Sequence, residues 1–202
     1  MMVSNQSLKG KPRCASTIRS YDSALKYLYS QTDYEQMLRV RYNRDTFSLD
    51  RMRSLLKAMG NPHNSLKAIH IAGTKGKGST AALTAKLLEH LGHKVGLVTS
   101  PHLSTYRQRF RINGKMISEA ELVRLINQLA PDIDAVIETL EPGKYLSPQG
   151  IFLAMALTLF DEQNVTAAVI EVGRGGRFDD NALVENQLSL FTPIIIEHAR
   201  YM

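Results

Sequence analysis

Glycine, lysine and hydroxyl side chains are concentrated in one short segment, which lies between an apolar run and an Ala/Leu-rich run. Glycines allow the backbone to fold tightly around an anion, so that main-chain N–H groups and the positive end of the next helix point at a phosphate. Lys77 adds a mobile positive charge, and Ser79 or Thr80 adds a hydroxyl group. We therefore predict a nucleotide phosphate site formed by Gly73, Thr74, Lys75, Gly76, Lys77, Gly78, Ser79 and Thr80.

The spacing of these residues differs from the general nucleotide-binding pattern. That pattern has a glycine five positions before its Gly-Lys pair, where this chain has Ile71. The segment is a shorter form, Gly-x-x-Gly-Lys-Gly-Ser, and a turn of this composition could also be an ordinary solvated connection. The apolar strand predicted before it and the helix predicted after it favour phosphate binding.

Polar residues also follow other apolar runs of the chain. Ligands of an open parallel sheet bind beyond the carboxyl ends of its strands. If those strands are neighbours, the hydroxyl of Ser100, the carboxylate of Glu171 and the imidazole of His198 converge near the phosphates held by Lys77. Together with water and phosphate oxygens, such groups suit an octahedral Mg²⁺ ion. Ser100, Glu171 and His198 are therefore the candidate metal ligands of the sequence.

Each of these residues also has a purely structural explanation. Ser100 can start a turn before the proline that follows it. His102 can hold its loop by hydrogen bonding, and His198 can be a hydrogen-bonded buried histidine. Glu171 is stronger evidence, because a carboxylate at the end of a buried strand needs a charged partner. The glycines after Glu171 indicate close backbone approach, either by a ligand or by a neighbouring loop.

Alternating strand and helix patterns predict how these residues are positioned. Ser48, Ser118 and Ser147-Pro148 are each placed to begin a helix, and a further helix is predicted over 79–91. Asn113-Gly114 predicts a two-residue hairpin turn. Strands alternating with helices predict an α/β fold, with a mainly parallel sheet and helices on both faces. The predicted strands are 67–72, 95–99, 109–112, 115–117, 167–172, 188–191 and 194–196.

Composition excludes several classes of protein. No apolar run of the 202 residues approaches membrane-spanning length, and residues 1–13 lack the core of a secretion signal. We therefore expect a cytoplasmic protein with no membrane partner. The net charge is +6, but the basic residues do not form a long run interleaved with aromatic residues, so we expect no nucleic-acid partner. The single cysteine, Cys14, is predicted to be inert. Residues 1–19 are predicted to be a disordered basic leader before a domain at 20–202.

Five ordered segments resemble one known family. The chain from Tyr21 to Met202 is similar to the N-terminal ATPase region of the folylpolyglutamate synthase and dihydrofolate synthase group, within the Mur ligase superfamily. This resemblance implies a P-loop NTPase-like Mur ligase central domain. The segments are His70-Ile71-Ala72-Gly73-Thr74-Lys75-Gly76-Lys77-Gly78-Ser79-Thr80, Thr99-Ser100-Pro101-His102-Leu103, Arg109-Phe110-Arg111-Ile112-Asn113-Gly114-Lys115-Met116-Ile117-Ser118, Glu171-Val172-Gly173-Arg174-Gly175-Gly176-Arg177-Phe178-Asp179 and Glu197-His198.

The resemblance implies an ATP-dependent ligase that adds L-glutamate to a folate or dihydropteroate carboxylate through an acyl phosphate. Mg²⁺ and the loop amides would neutralise charge on the transferred phosphoryl group. It implies that Gly73 to Thr80 bind ATP, and that Ser100, Glu171 and His198 hold magnesium. The implied catalytic residues are Lys77, Glu171 and His198, and the implied substrate contacts are His102, Arg109 and Asp179.

The chain departs from the family pattern in three places. Members usually carry a Phe-Glu pair near the helix that begins about Pro148, where this chain reads Ser147-Pro148-Gln149-Gly150-Ile151. Many have Ala-Thr-Asn after the aspartate, where this chain has Asp180-Asn181-Ala182. Members also continue beyond the position of Met202, into a metal-binding lysine and a C-terminal glutamate-binding domain. We therefore expect a truncated chain that cannot complete the ligation alone, with a missing C-terminal half as a candidate partner.

Two other functions are compatible with the sequence. One is a nucleotide-binding or interaction module without catalysis, which the missing lysine and C-terminal domain favour. The other is a P-loop small-molecule kinase, which would transfer phosphate without any amino-acid requirement.

Overall fold

The centre of the fold is a six-stranded mixed sheet. The computed structural model of the protein describes residues 17–31, 48–141 and 144–195. The strands are β1 Ala68–Ala72, β2 Val95–Val98, β3 Phe110–Ile112, β4 Lys115–Met116, β5 Ala167–Glu171 and β6 Asn186–Phe191. Their order is β4-β3-β2-β5-β1-β6. The pairs β2–β5, β5–β1 and β1–β6 are parallel, whereas β2–β3 and β3–β4 are antiparallel. The parallel strands β1, β2 and β5 therefore end at the same edge of the sheet.

Helices cover both faces of this sheet. The α-helices of the described residues are α1 Tyr21–Ser30, α2 Asp50–Ala58, α3 Lys77–His90, α4 Glu119–Glu138 and α5 Pro148–Glu162. Helix α3 packs over a small apolar cluster that includes Ile71, Leu97 and Val169. The other four helices contribute to a larger cluster on the opposite face. Helix α5 is buried on almost every side, as an apolar helix at the centre of a domain must be.

The elements largely confirm the predicted α/β fold. Asn113 and Gly114 both have positive φ, 46° and 72°, as the predicted hairpin turn requires. Ser147 Oγ accepts a hydrogen bond from the Gly150 amide at 2.8 Å and caps α5 as predicted. Ser118 Oγ likewise caps α4, through the Glu121 amide at 3.1 Å.

The strand boundaries mostly agree within one residue, but two elements differ by two residues or more. Helix α3 begins at Lys77 rather than at residue 79, because Gly76 takes the left-handed conformation and lets the helix start at once. The last strand is one continuous element, Asn186–Phe191, and residues 194–195 after Pro193 are not a strand. Residue 196 lies outside the described residues.

Several predictions concern residues outside the described ranges. These include Cys14, His198 and most of the predicted leader. Ile18, which falls within that leader, is described: it is buried against α4, and its amide donates to Asn127 Oδ1 at 2.8 Å. Within the described residues, no helix combines the length and the apolar composition needed to cross a bilayer.

Gly96 on β2 is required by the ring that packs against it. A Cβ atom at this position would lie 2.6 Å from Cδ1 of Phe160, a fully buried side chain of α5. We expect Gly96→Ala to lower the free energy of unfolding by about 1–3 kcal/mol, because the ring must leave its rotamer or push the helix away. Thermal unfolding measures this change. Phe160→Leu in the same background should recover part of the loss, and an unchanged melting temperature in Gly96→Ala would contradict the packing.

Candidate functional site

The predicted phosphate loop connects β1 to α3 at the edge where the parallel strands end. Gly76 precedes the helix with a φ of 84°, so the first amides of α3 face the loop. Ser79 and Thr80 lie in the first turn of this helix. Lys77 Nζ donates to the carbonyl of Thr74 at 3.2 Å, which keeps the ammonium group over the loop. This strand–loop–helix arrangement is the geometry that binds phosphate in other proteins.

The loop is fastened to the segment that follows β6. The Thr74 amide donates to the carbonyl of Pro193 at 3.1 Å, and the Ile195 amide donates to Thr74 Oγ1 at 3.1 Å. Gly73 has a φ of 132°, and a Cβ atom there would lie 2.7 Å from the carbonyl oxygen of Thr192. The sequence carries no signal for these contacts, since their partners lie about 120 positions apart.

Glu171 lies at the end of β5, beside the phosphate loop. Glu171 is only 5% exposed, and its Oε2 accepts a hydrogen bond from the Ser100 amide at 2.9 Å. Burial raises the pKa of the Glu171 carboxyl, and the Ser100 amide and the positive charges of Lys77 and Arg109 oppose that rise. A Cβ atom on Gly78 would lie 3.4 Å from Oε2. The carboxylate thus sits in a narrow space between the loop and the end of β2.

The predicted metal ligands are only partly described. Ser100 and Glu171 are adjacent, but the contact between them uses the backbone amide of Ser100. The Ser100 hydroxyl accepts a hydrogen bond from Gln149 Nε2 at 3.5 Å. Because His198 lies outside the described ranges, its role as the third ligand stays a prediction. Within the described ranges, no group of three His, Cys, Asp or Glu side chains could hold a metal ion.

Arg109, whose positive charge acts on Glu171, contacts three neighbouring side chains. Its guanidinium carbon lies 4.5 Å from the centre of the Phe152 ring, and its Nε donates to His102 Nδ1 at 3.1 Å. Its Nη1 also donates to Gln149 Oε1 at 3.3 Å. Burial lowers the pKa of His102, and the neighbouring guanidinium lowers it further, which is consistent with a neutral ring that accepts this bond. Arg109 is therefore a positioned cation, and His102 is one of the groups that position it.

Asp179 shapes the loop that follows β5. The residue is 8% exposed, and its carboxylate accepts the Arg174 amide at 2.8 Å and the Asn181 amide at 3.1 Å. Burial raises its pKa, and these hydrogen bonds oppose the rise. The carboxylate is thus engaged by its own loop, and the predicted contact with a substrate stays a prediction.

Asp180 is a functional candidate that the sequence analysis did not select. Its carboxylate accepts a hydrogen bond from the Ser147 hydroxyl and lies where a side chain at position 150 would be. A Cβ atom on Gly150 would lie 2.7 Å from Asp180 Oδ2. The two internal departures from the family pattern, at 147–151 and 180–182, therefore meet in space. The sequence signal for Asp180 was that both of these segments depart from the family pattern.

Burial raises the pKa of Asp180 from 3.8 to about 6, despite the hydrogen bond from Ser147 and the charge of Arg51. The folded state thus holds this proton more tightly than the unfolded state. The resulting stability is full below pH 3.8 and is lost as the pH rises through 6.

Asp180→Asn stays neutral at every pH. We therefore expect its free energy of unfolding, relative to that of the wild type, to increase by up to about 3 kcal/mol from pH 4 to pH 7.5. Chemical denaturation at both pH values measures this difference. Exposed Glu185→Gln is the control, and the prediction fails if Asp180→Asn and the wild type keep a constant stability difference.

Two grooves meet beside these residues. One has a volume of about 660 Å³, runs along the phosphate loop and one side of α3 as far as Glu89, and includes Glu171. The other has a volume of about 360 Å³ and extends past Arg109 and Gln149 to the Asp179-Asp180 loop. The residues that line both grooves are Lys77, Ser100 and Pro101. A ligand in one groove would therefore meet a ligand in the other beside Lys77.

Comparison with known proteins places this geometry in a family. No protein-family model matches the chain. A dihydrofolate synthase/folylpolyglutamate synthase of Bacillus subtilis is 38% identical over 151 residues, which are 74% of this chain and 35% of that protein. The crystal structure of Mycobacterium tuberculosis folylpolyglutamate synthase, complexed with ADP and AMPPCP, is 32% identical with a TM-score of 0.76. That match covers 90% of this chain and 39% of the other.

A third relative is a folylpolyglutamate synthase solved as a complex with AMPPCP and folate. It is 29% identical with a TM-score of 0.77, and the match covers 89% of this chain and 42% of the other. The chain thus spans well under half the length of the relatives it matches. The chain is therefore a homologue of the folylpolyglutamate and dihydrofolate synthases over about three quarters to nine tenths of its own length, and it corresponds to 35–42% of theirs.

Proposed function

We propose that this chain supplies the phosphate-binding part of an ATP-dependent ligase that joins L-glutamate to a folate or dihydropteroate carboxylate. The observation that carries the proposal is the meeting of two grooves at Lys77 and Ser100. ATP in the loop groove would place its terminal phosphate at that junction. An acceptor in the second groove would place its carboxylate at the same point.

The reaction needs two displacements. A carboxylate oxygen of the acceptor attacks the γ-phosphorus of ATP, the bond to the bridging oxygen breaks, and ADP leaves. The amine nitrogen of glutamate then attacks the carbonyl carbon of the acyl phosphate, loses a proton and displaces phosphate, which leaves an amide. Both steps move negative charge, so fixed positive groups at the junction accelerate them.

Three described side chains suit this role. Lys77 and Arg109 place positive charge beside the junction, and the hydrogen bonds of Arg109 to His102 and Gln149 fix its direction. The buried Glu171 carboxylate, whose ionised form burial disfavours, fits a cation. We propose that Ser100, Glu171 and His198 hold Mg²⁺, which would neutralise charge on the phosphoryl oxygens when bound.

The names of the relatives support these substrates. Solved relatives carry ADP, AMPPCP and folate, and the family is named for glutamate addition to folates. Because the 202 residues correspond to 35–42% of those proteins, we propose that they bind nucleotide but do not complete the ligation by themselves. An assay that shows folate- and glutamate-dependent ADP release by the 202 residues would reject this second part.

Calorimetric titration with AMPPCP, with and without Mg²⁺, tests the phosphate site. We expect magnesium-dependent binding of one nucleotide. Lys57→Ala, which removes an exposed cation of α2, is the control and should bind equally well. Absence of binding to the wild type would reject the proposal. Phosphate transfer from ATP to a small molecule without glutamate would indicate a kinase instead.

A further inference from the structure

The segment 100–109, which lies between β2 and β3, is built around the ring of Tyr106. This residue is 9% exposed, and the centre of its ring lies 4.0 Å from that of His102 and 5.4 Å from that of Phe152 on α5. The guanidinium carbon of Arg109 lies 5.8 Å from the same ring centre. Tyr106 thus contacts the positioned cation and also two of the side chains that hold it.

A single turn of 3-10 helix brings Tyr106 and Arg109 together. The turn spans Tyr106–Arg109, and side chains three residues apart lie on the same side of such a turn. Gln108 closes the segment instead, because its Oε1 accepts hydrogen bonds from the amides of Leu103 and Ser104 at 2.9 and 3.0 Å. The backbone therefore sets the spacing of the two residues, and the surrounding side chains set the direction of the guanidinium group.

Helix α1 holds this segment from outside with two tyrosines. The Tyr106 hydroxyl donates to the Tyr29 hydroxyl at 2.9 Å, and the two rings meet edge to face with their centres 5.8 Å apart. The hydroxyls of Tyr21 and Thr105 share a hydrogen bond of 2.8 Å. The two tyrosines of α1 are about two helical turns apart, so they hold two consecutive residues of the segment.

Helix α1 is in turn fastened to α4, away from the site. The Tyr27 hydroxyl donates to Asp134 Oδ1 at 2.8 Å, and Asn127 Nδ2 donates to the Ile18 carbonyl at 2.7 Å. None of these four described residues lines either groove. A chain of contacts therefore leads from α4 through α1 to the ring beside Arg109.

We infer that Tyr106 is a positioning residue of the proposed ligase, and that its ring, braced by the Tyr29 hydroxyl, aims the Arg109 guanidinium at the acceptor carboxylate. The inference rests on the proposed function, which places that carboxylate at the junction beside Lys77. Aromatic rings hold a guanidinium group by its faces and leave the N–H donors at its edge for hydrogen bonds. Tyr106 itself lines neither groove, so it acts through Arg109.

A double-mutant cycle with folate as the probe, measured by ligand-observed NMR titration, tests the inference. We expect Arg109→Ala to weaken folate binding roughly 10- to 100-fold, the usual loss for a hydrogen bond to a charged group, and Tyr106→Leu to weaken it about 10-fold. In the Arg109→Ala background, Tyr106→Leu should have no further effect, because no guanidinium group remains to be aimed. Tyr106→Phe keeps the ring and should retain most of the affinity. Pterin, which lacks the carboxylates, should bind equally to all variants.

Phe160→Leu is the matched control, because it also removes a buried ring, but one that packs on Gly96 instead of Arg109. It should leave folate binding unchanged even if its melting temperature falls. Equal losses from Tyr106→Leu in the wild-type and Arg109→Ala backgrounds would overturn the inference, and so would unchanged folate binding in Tyr106→Leu. A parallel loss of pterin or AMPPCP binding in Tyr106→Leu would indicate a merely structural role. A wild type that binds AMPPCP but not folate would instead reject the proposed acceptor groove.

A second cycle tests the brace from α1. Tyr29→Phe removes the acceptor of the Tyr106 hydroxyl, and we expect it to weaken folate binding about two- to threefold, the scale of one neutral hydrogen bond. In the Tyr106→Phe background the same substitution should have no effect, because the hydrogen bond is already lost. Equal losses in both backgrounds, or no loss in either, would remove Tyr29 from the inference.

Discussion

Replacement of Lys77 with alanine is expected to weaken binding of AMPPCP by roughly 100-fold or more, the scale of a lost charge–phosphate contact in a preorganised site. The ammonium group lies over the loop through its bond to the Thr74 carbonyl and influences Glu171 electrostatically. Its removal therefore takes positive charge from both grooves at once. The fold should survive, because Lys77 is only half-buried at the start of α3.

Calorimetric titration of Lys77→Ala beside Lys57→Ala measures this effect. Glu171→Gln is the informative companion, because it keeps the size of the side chain and removes its charge. We expect that variant to lose the dependence of nucleotide binding on Mg²⁺. Binding by Lys77→Ala within a few-fold of the wild type would show that loop amides alone hold the phosphates. Retained magnesium dependence in Glu171→Gln would exclude Glu171 as a ligand.

Gly73→Ala is expected to lower the free energy of unfolding by about 3 kcal/mol or more and to abolish nucleotide binding. The φ of 132° strains any other residue, and the new Cβ atom would lie 2.7 Å from the Thr192 carbonyl oxygen. The backbone of Thr192 has little room to retreat, since its amide donates to the Ala72 carbonyl at 2.8 Å. Either the loop or the end of β6 must move.

Gly92→Ala is the matched control for this substitution. Gly92 also has a positive φ, 88°, but a Cβ atom there meets nothing within 4 Å. Gly92→Ala should therefore lower the free energy of unfolding by about 1 kcal/mol, the cost of alanine in a left-handed backbone, without a collision. Thermal unfolding of both variants separates strain from collision. Similar melting temperatures for Gly73→Ala and Gly92→Ala would mean that the contact with Thr192 is absent in solution.

Local patterns predicted the parts of the fold that local physics determines. Caps such as Ser118 and Ser147 and the Asn113-Gly114 turn act on neighbouring residues, so their effect can be read without the rest of the chain. The alternation of strand and helix patterns was sufficient to predict a mainly parallel sheet. It also placed Lys77, Ser100 and Glu171 at one edge, because parallel strands share that edge.

Contacts between distant segments were beyond sequence reasoning. Gln149 donates to the Ser100 hydroxyl and accepts from Arg109, yet its position suggested only the first turn of a helix. Asp180 reaches the space beside Gly150 because the loop after β5 folds back on α5. Such meetings depend on the exact path of two loops, and no periodicity in the chain records them.

The attachment of the phosphate loop to the end of β6 sets an order for synthesis of the protein. Residues 73–80 leave the ribosome before Pro193 and Ile195, and Thr74 receives these partners only when they follow. Until then, the parallel partner of β1 on that side, β6, is also missing. The loop can therefore take its final shape only after about 120 further residues have been added. A nascent chain shorter than this would contain every residue of the motif and still lack its geometry.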